Sequence, residues 1–139
     1  MTEQALYHTE VENTDGLIGH VKTITSHDLD VVTSGPLSDQ AGTNPEQLLA
    51  ASFSTCLNAT IEAEEKRRQL THQSIVRVAI DMIRDTEGFQ FIVHVQVKIP
   101  HVSAQEAEEI LSIAERRCPV SKLLMGNDNV SISLVDSLN

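Results

Sequence analysis

Tryptophan is absent from this chain, tyrosine occurs once and phenylalanine three times, so leucine, isoleucine, valine and alanine must build its core. Basic residues are scarce: ten Lys and Arg stand against twenty Asp and Glu, a formal net charge of −10. That balance speaks against a nucleic-acid or anionic-membrane partner, because both need a basic footprint. No stretch is long and apolar enough to cross a bilayer, and no apolar signal segment opens the sequence. The expectation is a cytoplasmic protein. Two cysteines, Cys56 and Cys118, are too few for a disulfide scaffold, and a reducing compartment keeps them as thiols. His8, His20, His27, His72, His94 and His101 are scattered, without C-x-x-C or H-x-x-x-H spacing, so no metal site is expected. A Gly-rich phosphate loop and a G-x-S-x-G elbow are missing as well.

What is present is organised around residues 42–68. Asn44 is a good N-cap, Pro45 suits the first helical position, and Glu46 puts an anion where the helix dipole favours one. No charge then occurs until Glu62, and the residues between are apolar or small on every side. A helix without a polar face is expected to be buried all round. Glu62, Glu64, Glu65, Lys66, Arg67 and Arg68 are expected to bring it back to solvent.

The flanking segments read as an α+β chain, one domain over residues 1–139, in the order βββ-α-ββ-αα-β. Short strands are expected at Gln4 to Glu12, Leu17 to Ile24 and Leu29 to Thr33, with a turn at Asn13-Thr14-Asp15-Gly16. Ser74 to Arg84 and Phe89 to Ile99 carry the strongest strand signal, joined as a hairpin by Asp85-Thr86-Glu87-Gly88. In the second of these, Phe89, Phe91, Val93, Val95, Val97 and Ile99 share one face. Ser103 to Glu106 form a capping box, followed by a helical stripe at Ala107, Ile110, Leu111 and Ala114. Pro119 ends that helix near Arg117 and opens a short one through Leu124, before a last strand at Val130, Ile132 and Leu134.

The cysteines are the residues with chemistry to offer. Cys56 sits mid-helix and reads either as a small core hydrophobe or as a redox thiol. Cys118 stands at a helix junction just before Pro119. A thiol at a helix N-terminus is favoured as thiolate by the exposed N–H groups, while a buried cap residue is the plainer alternative.

Gly42-Thr43-Asn44-Pro45-Glu46-Gln47-Leu48-Leu49-Ala50-Ala51, followed by Cys56, resembles the central-helix motif of the OsmC and organic-hydroperoxide-resistance proteins. Cys118-Pro119-Val120-Ser121 resembles that family's second-cysteine segment. The resemblance implies an OsmC-like fold assembled as an intertwined homodimer, with a long buried central helix packed on an antiparallel sheet. It implies a peroxidase of organic hydroperoxides in oxidative-stress defence, with Cys56 as the peroxidatic thiol, Cys118 as the resolving thiol and Glu46 as the carboxylate that orients an active-site arginine. No bound cofactor is implied. The reductant would be an external dithiol, lipoyl-linked in the family. Leu49, Phe53 and Leu57 are expected to form an apolar wall suited to an alkyl hydroperoxide.

This chain departs from the family in one place. The arginine there belongs to a Gly-Gly-Arg-x-Gly turn after the first strand, and the corresponding residues here are Asp15-Gly16-Leu17-Ile18-Gly19. Leu17 therefore stands at the arginine position. His20, Arg77, Arg84, Arg116 and Arg117 are the other cations considered, and nothing in the sequence selects among them. The alternative function is a non-catalytic OsmC-like dimer that binds an apolar small molecule. Helical geometry adds an expectation about assembly. Ten residues separate Glu46 from Cys56, about 15 Å of rise at ~1.5 Å per residue. Glu46 can serve a cysteine site only through an intermediary side chain or from a partner chain.

Overall fold

The computed structural model describes residues 4–138. Its elements are β1 (Val11–Asn13), β2 (Gly19–Thr23), β3 (Asp30–Thr33), α1 (Pro45–Arg67), β4 (Ile75–Arg84), β5 (Phe89–Lys98), α2 (Ala104–Arg117), α3 (Pro119–Leu124) and β6 (Val130–Leu134). The order is the one the sequence patterns predict. Two compact units divide the chain, one ending at Leu48 and the other beginning at Leu49.

In the first unit, β1, β2 and β3 form an antiparallel three-stranded sheet. The first strand is much shorter than its sequence alternation suggests, and residues 4–10 are exposed. After β3 the chain folds back so that Thr33 and Thr43 form a parallel bridge, with Ser34 N–H donating to the Thr43 carbonyl at 3.0 Å. That return explains the glycine that opens the motif. Gly42 has φ +156°, and a Cβ there would lie 2.8 Å from the Thr33 backbone carbon and 2.9 Å from Ser34 N. Backbone cannot give way as a flexible side chain can. The helix is then started by reciprocal bonds: Gln47 N–H donates to Asn44 Oδ1 at 2.8 Å, and Asn44 N–H to Gln47 Oε1 at 3.1 Å.

In the second unit, β4 and β5 pair antiparallel over ten residues, and β6 adds to β5 in parallel. Alternation alone does not specify that direction. The two helices between β5 and β6 supply the long crossover that a parallel neighbour needs. Val93, Val95 and Val97 of β5 and Ile99 just beyond it are buried with Phe53, Leu57 and Ile61 of α1 and Ala107, Ile110, Leu111 and Ala114 of α2 in one core.

Burial of α1 is one-sided within the chain, which corrects the expectation of a helix covered all round. Phe53, Leu57 and Ile61 follow i, i+4, i+8 spacing on the core face, while Ala51, Ser52, Thr55, Ala59 and Ala63 are exposed. One sheet and one helix pair can cover only one side of a central helix.

The charged end of α1 is also more buried than its composition suggests. Glu64 and Glu65 are 4% and 2% exposed. Glu64 is gripped by Arg67, one turn on, and by Arg68 Nε at 2.7 Å. Arg68 reaches on to Glu106 and Glu109 of α2 at 3.4 and 3.3 Å, tying the two helices together. Hydrogen bonds from Arg67, with help from Arg68, hold the Glu64 carboxyl at about 2, against an ordinary value of 4.5. A depressed carboxylate pKa means that the unfolded chain takes up the proton first as pH falls. The stabilisation is complete above pH 4.5 and is lost as pH falls toward 2. Glu64→Gln should flatten the acid limb of the stability curve in that window, measured by urea unfolding at stepped pH. An unchanged acid limb would remove Glu64 from the account.

Glu65 is held differently. Its Oε1 lies 2.6 Å from His72 Nδ1 and 3.2 Å from Ser74 Oγ, and Ser74 Oγ lies 2.9 Å from Asn58 Oδ1. Asn58 Nδ2 in turn donates to the Ser74 carbonyl at 3.2 Å. The network joins mid-α1 to the start of β4 and satisfies a carboxylate that burial would otherwise penalise.

Candidate functional site

The second unit brings its two thiols together. Cys56 lies mid-way along α1, partly exposed, and packs against the core cluster that contains the buried Cys118. The local chain explains each placement. Thr60 Oγ1 donates to the Cys56 carbonyl at 2.9 Å, a back-bond within the helix. Cys118 closes α2, donating its N–H to the Ala114 carbonyl at 2.8 Å, because Pro119 cannot continue the ladder. The same residue caps α3, its Sγ accepting from Ser121 N–H at 3.4 Å. The side chain that turns the corner therefore also belongs to the core cluster against which Cys56 packs.

The protonation of Cys118 is set by a competition. Its position before α3 leads one to expect a thiolate. The residue is 0% exposed, however, and burial pushes its thiol up, with Cys56 adding to the rise. Hydrogen bonds from the Ser121 and Val120 amides pull the other way and do not prevail. A six-residue helix offers few aligned amides, and desolvation penalises the whole charge. Cys118 is thus a buried, neutral thiol at rest.

The other predicted site residues belong to the first unit. Glu46 follows Pro45 at the start of α1, and its Oε2 is buried without a hydrogen-bond partner among the described residues. An unpaired buried carboxylate oxygen calls for an explanation. Leu17 is about half exposed and packs over Gly35, where a Cβ would come within 2.6 Å of its Cδ2. Three of the cations that could stand in for the family arginine have other partners. His20 Nδ1 lies 2.9 Å from Asp30, Arg84 stacks over Phe89, and Arg116 reaches Ser112. Arg77 stands opposite Gln96 in the β4–β5 ladder, and Arg117 is the last residue of α2.

The apolar wall needs correction. Phe53 and Leu57 are 1% and 0% exposed, turned into the core rather than toward a ligand. Phe53 instead lines a cavity of about 140 Å³ with Leu124, Met125, Val130 and Ile132 beneath α3. The larger hollow on the open side of α1, about 360 Å³, is lined by polar residues including Thr55, Asn58, Glu62 and His72. The neighbouring Ser74, His72 and Glu65 do not form a hydrolytic triad: both partners meet the same ring nitrogen, Nδ1, leaving none between base and nucleophile. Among the described residues, no group of three or more His, Cys, Asp or Glu is placed to hold a metal ion.

Two participants escaped the reading of the sequence. The Ser121 amide is one, although the i, i+3 spacing from Cys118 is a legible capping signal. The Glu65–His72–Ser74–Asn58 network is the other, and no local pattern announces it.

The family model described as OsmC-like protein matches residues 38–133. A Staphylococcus aureus protein named organic hydroperoxide resistance protein-like is 34% identical over 133 residues, covering 92% of this chain and 94% of its own. A crystal structure from Lactobacillus casei superposes with a TM-score of 0.91 at 43% identity, covering 98% of this chain and 95% of that one. The organic hydroperoxide resistance protein OhrB of Bacillus subtilis gives 0.83 at 29% identity, covering 94% and 100%.

Proposed function

The chain belongs to the OsmC family, and on that premise we propose that it is a thiol-dependent peroxidase of organic hydroperoxides. The observation that carries the reading is the packing of Cys56 against the core cluster that holds Cys118, a residue 62 positions away in sequence. Cys56 thiolate attacks the terminal oxygen of the hydroperoxide. The O–O bond breaks, the alkoxide leaves and takes a proton to become an alcohol, and Cys56 is left as a sulfenic acid. The Cys118 sulfur then attacks the Cys56 sulfur, water departs, and a disulfide forms. An external dithiol of the lipoyl type returns both residues to thiols. The neutrality of Cys118 suits the order of events, since only Cys56 is then available to the peroxide.

The working unit in this reading is a homodimer. The open side of α1 supports it, since small side chains such as Ala51, Thr55 and Ala59 would be covered by a second copy. Glu46 supports it too, because its unpartnered oxygen needs a hydrogen-bond donor or cation that Leu17 does not offer. Sedimentation should give twice the 15.3 kDa chain mass at micromolar concentration. Peroxide consumption with dihydrolipoamide, set against hydrogen peroxide and an alkyl hydroperoxide, tests the chemistry. The expected result is turnover with preference for the alkyl substrate.

Leu17 favours a second reading, in which the dimer binds an apolar small molecule and turns nothing over. Absence of consumption, with the dimer intact, would select it.

A further inference from the structure

The two sulfurs of the pair are not equivalent, and the difference decides how the oxidised protein is reset. Cys118 is fully buried, while Cys56 retains exposure on α1. A thiolate reducing a disulfide must approach one sulfur directly and expel the other. Of the two residues, Cys56 is the more accessible to that approach. The leaving side is equally distinct: Cys118 Sγ is the N-cap of α3 and accepts the Ser121 N–H, whereas Cys56 sits mid-helix, where neighbouring amides already bond to carbonyls. Access selects the direction, and the Ser121 N–H is placed to meet the charge that develops on Cys118 Sγ, a charge that burial otherwise disfavours.

We infer that the external dithiol attacks Cys56 Sγ, forming a mixed disulfide on Cys56 and releasing Cys118 into the cap of α3. The inference rests on the two-thiol reading above. In the step, the reductant's first sulfur bonds to Cys56 Sγ as the Cys56–Cys118 bond breaks, and the electron pair goes to Cys118. Cys118 takes up a proton and returns to its buried neutral state. The second thiol of the reductant attacks the first sulfur, which breaks the mixed disulfide and leaves a cyclic disulfide. Cys56 departs with the electron pair. Two protons and two electrons pass from the dithiol to the two cysteines.

The direction also constrains the partner. Its dithiol must be carried on an arm or presented on a protruding edge that reaches a half-open sulfur on a helix. A thiol pair recessed in its own pocket cannot make the first attack.

The test does not depend on peroxide reactivity. The disulfide is formed in the full-length protein with diamide, the oxidant is removed, and a large excess of the monothiol N-acetylcysteine is added. Samples are quenched in acid at short times, unfolded, alkylated and mapped by mass spectrometry. The expected result is N-acetylcysteine on Cys56 and alkylation on Cys118. Adducts on Cys118, or an even split, overturn the inference. A second measurement covers the case where Cys118 re-forms the disulfide too fast for an adduct to accumulate. Native Cys56 in Cys118→Ser should react with Ellman's reagent at least about tenfold faster than native Cys118 in Cys56→Ser, with the difference abolished in denaturant. Equal native rates, or a faster Cys118, also overturn it. Failure of the peroxidase reading leaves both measurements standing, since neither uses a peroxide.

Discussion

Cys56→Ser should abolish peroxide consumption, whereas Cys118→Ser should consume about one equivalent and then stall. The asymmetry follows from the roles proposed for the two sulfurs. Without Cys56 no nucleophile meets the peroxide, and the fall should be at least on the order of a thousandfold, the scale at which enzymes lose their nucleophile. Without Cys118 the first oxidation proceeds, but the sulfenic acid finds no thiol, and it either persists or oxidises further. Wild-type protein treated with an alkyl hydroperoxide should carry a Cys56–Cys118 disulfide within one chain, seen by mass spectrometry. Over-oxidation of Cys56 in intact wild-type protein, with no such disulfide, would sink the resolving role of Cys118. Multiple turnover by Cys118→Ser with a dithiol reductant would do the same.

Leu17→Arg should accelerate the reaction with alkyl hydroperoxide by about tenfold or more and shift its pH dependence downward. Two effects of a guanidinium need separating. Lowering the pKa of a free thiol from about 8.5 to about 6.5 raises its thiolate share at neutral pH roughly twenty-fold. Intrinsic nucleophilicity falls over the same interval by about eightfold, so the net gain from ionisation is only about threefold. The larger part must come from charge-assisted hydrogen bonding to the peroxide oxygens in the transition state, worth about 1.5–3 kcal/mol. Leu17→Gln, which fills similar space without the charge, should leave the rate near that of the wild type. If Leu17→Arg reacts no faster than the wild type, another cation already serves Cys56 and the departure at Leu17 carries no catalytic cost.

Much of this protein is written in local patterns. A period of two in residues 89–99, the Asn44-Pro45 start, the Ser103 cap and the Cys118-Pro119 break each concern neighbours within one turn or one strand, and all appear where the sequence places them. The cysteine motifs are legible for the same reason. Features that depend on what covers a surface are not. Fifteen residues without a charge do not say which side of α1 meets the core, and the structure buries Phe53, Leu57 and Ile61 while leaving Thr55 and Ala59 open. Glu64 and Glu65 look like solvated helix-end charges until Arg68 bridges to α2 and His72 and Ser74 fold back onto Glu65. The parallel course of β6 depends on the length of the crossover. Cys118 is the sharpest case. Its sequence position favours a thiolate, but desolvation acts on the full charge while a short helix offers only two amides against it, so packing decides that it stays a thiol.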